Sequence, residues 1–335
     1  MLTFRTAQAA LVAGAFALFS QAAAATELKL AHFVPPTHII TPSIVEPLAT
    51  GVAEGSGGAL TVKVFPAGEL GAGPVEQYVR ALQGIADIVW GVTGYTSSQF
   101  ERTMVAELPG VFQGRSGAKV LHGTLDSHLA QEFPGTHPLA LWTAEPNVLI
   151  MRDKEVRSPA DLKGLRIRVA GSAPAQMVEA LGGTPVQMSA AEGYNALQNG
   201  LIDGCLTGAT TMADFRYDEV AEYLILGADL GHVGFFLTMN QAAYEGLPAE
   251  EKAALDAASG LALGQSGENG WGDHAEAVIA ALRSRADRHV VDLSDSEIAA
   301  FNQITHGVRD SIIADMDARG LDGSAVLAAM QDAAQ

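Results

Sequence analysis

Residues 28–65 read LKLAHFVPPTHIITPSIVEPLATGVAEGSGGALTVKVF. Leu28 to His32 sets apolar side chains at alternate positions, the period of a strand with one covered face. Thr37 to Glu54 spaces its apolar residues as a helix does, and Gly55, Gly57 and Gly58 stop it, because glycine alone closes a helix in left-handed backbone without strain. Leu60 to Phe65 alternates again. Short apolar runs alternating with longer amphipathic segments are the pattern of an α/β protein.

The pattern continues outward. A turn at Pro66 to Gly73 leads to a helix from Pro74 to Gln83 and a strand at Asp87 to Trp90. A second α/β stretch starts near Leu139, with extended segments at Leu139 to Trp142 and Val148 to Met151, a helical turn at Pro159 to Leu162 and a strand at Leu165 to Val169. A helix from Pro174 to Leu181, a strand near Pro185 to Met188, a helix from Ala190 to Gln198 and strands at Asp203 to Leu206, Tyr223 to Leu226 and Gly234 to Asn240 follow. Beyond Leu247 the chain turns helical, over Ala249 to Arg285, Ser294 to Asp317 and Ser324 to Ala333, with Val290 to Leu293 as a strand. The first of these is long enough to lie across two lobes, and a chain of 335 residues exceeds the usual size of a single core.

With 48% apolar and 17% charged residues the chain can build a core. Its 38 acidic residues against 20 basic ones, a net charge of −18, argue against nucleic acid or an anionic membrane as partner, since phosphate binding draws on clustered Lys and Arg. The single cysteine, Cys205, excludes an intrachain disulfide and any multi-cysteine metal site. At the N-terminus, Arg5 precedes an apolar run from Ala9 to Phe19 and the small residues Ala22 to Ala25. This order predicts a secretory signal peptide over residues 1–25 and an exported, acidic protein.

Motifs of catalysis are missing: no GxSxG, HExxH, GxGxxG or Walker A sequence occurs, and the SxxK at Ser116 to Lys119 lacks its partners. His32 and His38 do not have a spacing that demands metal, and the Asp315 to Gly320 segment starts like a calcium loop but lacks the closing glutamate. Neither an enzyme, nor a cofactor, nor a metal site is expected. The informative stretch is DLKGLRIRVAG, Asp161 to Gly171. Arg166 and Arg168 alternate with Leu165, Ile167 and Val169, so both guanidiniums share one face of a strand. Such a pair serves either surface acids or, at the strand end, a carboxylate taken by the planar guanidinium fork. The helix that follows, opened by Gly171, Ser172 and Pro174, would add partial positive charge near an anion.

These residues sit inside a longer series: HFVPPTH at 32–38, SGGALTVKVFPAGELG at 56–71, GIADIVWG at 84–91, ELPGVF at 107–112, VRSPADLKGLRIRV at 156–169, LGGTPVQM at 181–188, ALQNGLIDG at 196–204, DEVAEY at 218–223 and TMNQAAYEGLP at 238–248. In order and spacing the series resembles the substrate-binding proteins of tripartite ATP-independent periplasmic (TRAP) transporters, of the DctP type. The resemblance implies a periplasmic protein with the two-lobe, class II binding-protein fold, its lobes joined by hinge strands and a long helix that spans both. It implies a monomer that closes on a small organic acid and delivers it to the membrane subunits of a TRAP permease. Residues 26–145 and 234–273 would form lobe I, and residues 146–233 and 274–335 lobe II. The arginine that the family uses for the substrate carboxylate falls on Arg168, which leaves Arg166 to a surface partner.

Departures from the sialic-acid-binding members fall at Asn147 or Val148, at Thr207 and at Ala170, which argues against that ligand and leaves small hydroxy, keto or dicarboxylic acids. Ligands of open α/β sheets sit beyond the carboxyl ends of strands. That rule nominates Phe33 and His38 after the first strand, Trp90 and Tyr95 after the third, and Thr207 and Thr210 after the strand at Asp203. Asn147 and, on a late strand, Phe235 complete the candidate ligand-binding set with Arg168. The competing readings are an ABC-type receptor for an organic anion or amino acid and an exported hydrolase.

Overall fold

The opening strand, helix and strand form a βαβ unit: β1 (Thr26–Ala31) and β2 (Leu60–Phe65) lie parallel, in register from Thr26 beside Leu60 to Ala31 beside Phe65. The computed structural model describes residues 25–335, so the expected signal peptide lies outside the described residues but for its last position. Between the strands the helix is shorter than its pattern, Glu46–Gly55, preceded by a wider π-helical turn at Thr41–Val45. Pro42 and Pro47 explain this, since neither has an N–H to carry a regular ladder.

Three more strands, β3 (Ile88–Val92), β4 (Thr136–Thr143) and β10 (Gly234–Asn240), complete the first sheet in the order β2-β1-β3-β10-β4. The second sheet takes β5 (Asn147–Met151), β6 (Arg166–Val169), β7 (Thr184–Gln187), β8 (Gly204–Gly208), β9 (Tyr223–Leu226) and β11 (His289–Asp292), in the order β11-β9-β5-β8-β6-β7. Strands β10 and β5 run antiparallel to their neighbours, as they must where the chain passes between sheets and comes back. The outgoing and returning strands touch at the crossing: Ala144 donates its N–H to Val233 O at 2.8 Å, and Asn147 donates to Gly231 O at 2.8 Å.

Two long helices tie the sheets together. The helix Gly260–Arg283 buries Leu263 and Trp271 in the core of the first sheet and Ala275, Val278 and Leu282 in that of the second. It is not continuous with Ala249–Ala257, as the sequence pattern suggests, because Gly260 sits at φ +72° and breaks the helical path after Ala258. The helix Asp295–Ala318 puts Phe301 into the second core and Ile313 and Met316 into a core layer of the first. The last helix, Gly323–Ala334, packs with the first sheet's side of the molecule: Val326 and Met330 join Val120, Leu141 and Phe236 in one apolar cluster. Apolar burial against Gly117–Thr124 sets this position.

Candidate functional site

The site starts with β6. Its residues are buried except for Arg166, so the two arginines of the strand have different fates. Arg166 stays 42% exposed and forms a two-point pair with Asp203, Nε to Oδ2 at 3.0 Å and Nη2 to Oδ1 at 2.8 Å. Arg168 is 1% exposed. Its Nε donates to Met188 O at 2.9 Å and its Nη2 to the Tyr95 hydroxyl at 3.3 Å. Among the described residues no carboxylate forms an ion pair with it. A guanidinium in a low-dielectric interior is costly unless an anion or a full set of acceptors meets it.

Arg168 borders a cavity of about 50 Å³ between the sheets, walled by Phe33, His38, Trp90, Tyr95, Phe215, Phe235 and Trp271 and by Thr207, Thr210 and Thr211. The loop after β1 supplies Phe33 and His38, β3 and the turn after it Trp90 and Tyr95, β10 Phe235, and the end of β8 with its following turn the threonines. Phe33 stacks on Trp90 with ring centres 4.7 Å apart and planes 6° from parallel. Trp271 lies 5.1 Å from Phe235 and 5.7 Å from His38. Eight of the nine residues nominated from the sequence thus meet at one cavity.

Asn147 is the exception. It occupies the first position of β5, and its amide donates to Leu230 O at 3.1 Å, which turns it into the crossing between sheets rather than toward the cavity. Trp271 and Phe215 went unnominated because both reach the cavity through tertiary packing, one from the spanning helix and one from the turn after β8. An aromatic inside the glycine-rich run Gly264 to Gly272 was the available signal for Trp271.

Burial sets the electrostatics. His38 is held down to about 4, mainly by desolvation, so its ring is neutral at ordinary pH. Its Nδ1 accepts the N–H of Ile40 at 3.1 Å, which leaves the proton on Nε2. Cys205, fully buried beneath Arg168, is pushed up to about 12 by burial and stays a thiol. One fixed cation, ring faces and hydroxyls surround the cavity, a set of groups suited to hold an anion with an apolar body.

A fold of two sheets joined by crossing strands and a spanning helix, closed around a buried arginine, defines a two-lobe solute-binding protein. The chain belongs to the DctP family, bacterial extracellular solute-binding protein family 7, whose model matches residues 30–315. The family and its solved members are solute-binding transport proteins, not enzymes. A solute-binding protein of Verminephrobacter eiseniae is 28% identical over 64% of the chain and 65% of its own length, just under two thirds. The C4-dicarboxylate-binding periplasmic protein DctP of Rhodobacter capsulatus is 25% identical over 86% of the chain and 91% of its own length. Among solved structures, a TRAP solute-binding protein of Rhodoferax ferrireducens in complex with copurified benzoate aligns with TM-score 0.85 and 27% identity, over 92% of this chain and 97% of that one. A marine metagenome TRAP protein specific for aromatic acid ligands, in complex with 3-hydroxybenzoate, aligns with TM-score 0.87 and 28% identity, over 92% and 98%. No helix among the described residues is long and apolar enough to cross a membrane.

Proposed function

We propose that the chain captures a small acid with one carboxylate and an aromatic or otherwise apolar body, in the periplasm, and hands it as a monomer to the membrane subunits of a TRAP permease. The observation that carries this reading is Arg168: buried, without a carboxylate partner among the described residues, and bordering a ring-lined cavity. A carboxylate there takes two charge-assisted hydrogen bonds from the planar fork, and the body of the acid packs on Phe33, Trp90 and Phe235. The benzoate and 3-hydroxybenzoate of the two similar solved proteins fit this chemistry. A C4-dicarboxylate, named for the Rhodobacter relative, does not, because Arg168 is the only Lys or Arg in the cavity wall among the described residues.

The mechanism is closure. Phe33, His38, Trp90 and Tyr95 stand on one sheet's side, Arg168 and the threonines on the other, so only the closed form offers a ligand both sets of contacts. A cavity of about 50 Å³ is smaller than the ~150 Å³ known to admit benzene, so a ring is accommodated by the lobes standing slightly further apart. The lobes of this reading are residues 26–145 with 234–273, and 146–233 with the segment from 274 into the helix Asp295–Ala318.

A thermal-shift screen of benzoate, 3-hydroxybenzoate, mandelate and succinate, each against its amide, tests it. Stabilisation by the aromatic acids, lost in a folded Arg168→Ala variant, is the expected result. Equal stabilisation by acid and amide, or binding that survives Arg168→Ala, would reject it.

A further inference from the structure

We propose that Asp214, seconded by Glu145, is a charge filter at the end of the cavity away from Arg168 and restricts the site to acids that carry a single carboxylate; this rests on the carboxylate-capture reading above. A run of packed groups leads from one charge to the other. Tyr95 touches Arg168 at 3.3 Å and lies 6.3 Å, centre to centre, from Phe33; Phe33 stacks on Trp90 at 4.7 Å; Trp90 lies 5.6 Å from His38. Behind His38 stands Asp214, its Oδ2 at 3.5 Å from His38 Nε2.

Asp214 is 8% exposed, and Oδ2 has no hydrogen-bond donor, the His38 contact at 3.5 Å being electrostatic only. Its other oxygen, Oδ1, is held by His274 Nε2 at 3.1 Å. Glu145 stands behind a second wall residue: Oε1 accepts the N–H of Thr210 at 2.7 Å, Oε2 is buried without a donor, and burial pushes the carboxyl up to about 7, so its charge is complete only above that pH. Two carboxyl groups therefore back two residues of the wall, with the partly exposed His274 as the one base hydrogen-bonded to them among the described residues.

His38 strengthens the filter by having nothing to give. Ile40 occupies its Nδ1, and its Nε2 proton lies on the Asp214 side, so the ring offers the cavity an apolar face and no cation. A second carboxylate at this end would meet Asp214 and, where it is ionised, Glu145 through a medium of low dielectric, with only the neutral hydroxyls of Thr207 and Thr210 to offset the repulsion. An uncharged end of the same shape meets no such penalty.

The test uses succinate and succinamate, which share one shape and differ by one charge, as competitors of bound benzoate. Wild type should prefer succinamate by about tenfold or more, and Asp214→Asn should narrow that ratio by about threefold to tenfold. Glu145→Gln should narrow it in the same direction at pH 8, where the Glu145 carboxyl is ionised, and serves alone if Asp214→Asn does not fold. A general loss of structure would lower both affinities together and leave the ratio as it was. Benzoate binding with the succinate-to-succinamate ratio unchanged in the variants, including no competition by either, overturns the filter alone. Failure of the wild type to bind benzoate or either competitor overturns the carboxylate reading and the filter with it.

Discussion

Tyr95 and Arg168 come from opposite sheets and meet across the cavity, the phenolic oxygen 3.3 Å from Nη2. The same oxygen accepts the N–H of Ala190, at the start of the helix Ala190–Gln198, at 2.9 Å. One hydroxyl from the turn after β3 thus holds both the Arg168 guanidinium and a helix start on the other sheet's side. Tyr95→Phe keeps the ring packing and removes these two bonds. Benzoate affinity should fall by about threefold to tenfold, the range of one or two lost buried hydrogen bonds, while the ligand-free melting temperature changes little. Titration calorimetry paired with calorimetric melting checks both halves of this.

Closure also brings two glycines together. A Cβ on Gly171 would stand 2.8 Å from both Cα and O of Gly94 on the other lobe, and 2.9 Å from Ser97 Oγ. The backbone of Gly171 is extended, at φ −165°, so alanine fits the fold of its own lobe without strain. Gly171→Ala should therefore leave ligand-free stability near wild type and weaken benzoate binding by holding the lobes apart. Small-angle scattering with saturating benzoate should show the variant remaining more extended than wild type. A variant that compacts as wild type does would show that the Gly94–Gly171 approach does not limit closure.

The neighbouring arginine supplies the contrast. Arg166 is bound to Asp203 and Gly200 O on the outer part of the strand, and the pair holds the Asp203 carboxyl below its usual range. Because that pair does not reach the cavity, Arg166→Ala should leave benzoate affinity within about twofold of wild type. Loss of binding in both single variants would mean that the strand, not the Arg168 guanidinium, is what the ligand needs.

Much of this was legible from residues alone, for physical reasons. Strand alternation and glycine stops are local, so β2, β9 and β10 fall where the pattern puts them, and β1 starts two residues before its pattern. Arg168 was legible because a second cation on a strand of an acidic chain stands out. The choice between Arg168 and Arg166 needed the family resemblance, since alternation puts both on one face. What the residues do not tell is long-range: Asn147 donates into the crossing, Trp271 arrives from the spanning helix, and the break at Ser259 depends on which glycine adopts left-handed backbone. No periodicity reports which distant segment covers a cavity. The packing of the last helix is hidden for the same reason, its apolar stripe being visible but not the surface that receives it.

Glu107, within ELPGVF, gives the pH prediction. Its carboxyl is fully buried; Oε1 is hydrogen-bonded to the Thr93 hydroxyl and accepts the N–H of Gly234 at 3.2 Å. Desolvation dominates and pushes it up to about 7, with the two hydrogen bonds opposing. The folded state thus holds a proton that the unfolded chain releases near the ordinary carboxyl value, so this group's contribution is complete at low pH and is lost as pH rises toward and through 7. Glu107→Gln keeps the shape and an acceptor for Gly234 without the ionisation. Denaturant unfolding from pH 5 to pH 8 should show the variant losing less stability than wild type over this interval, by on the order of 2 kcal/mol. His32, His122 and His232, each held near 4 by burial, act in the opposite sense, destabilising as pH falls below the ordinary histidine value, so the Glu107 effect is read as the difference between variant and wild type. Parallel pH profiles for the two proteins would mean that Glu107 ionises freely in the fold.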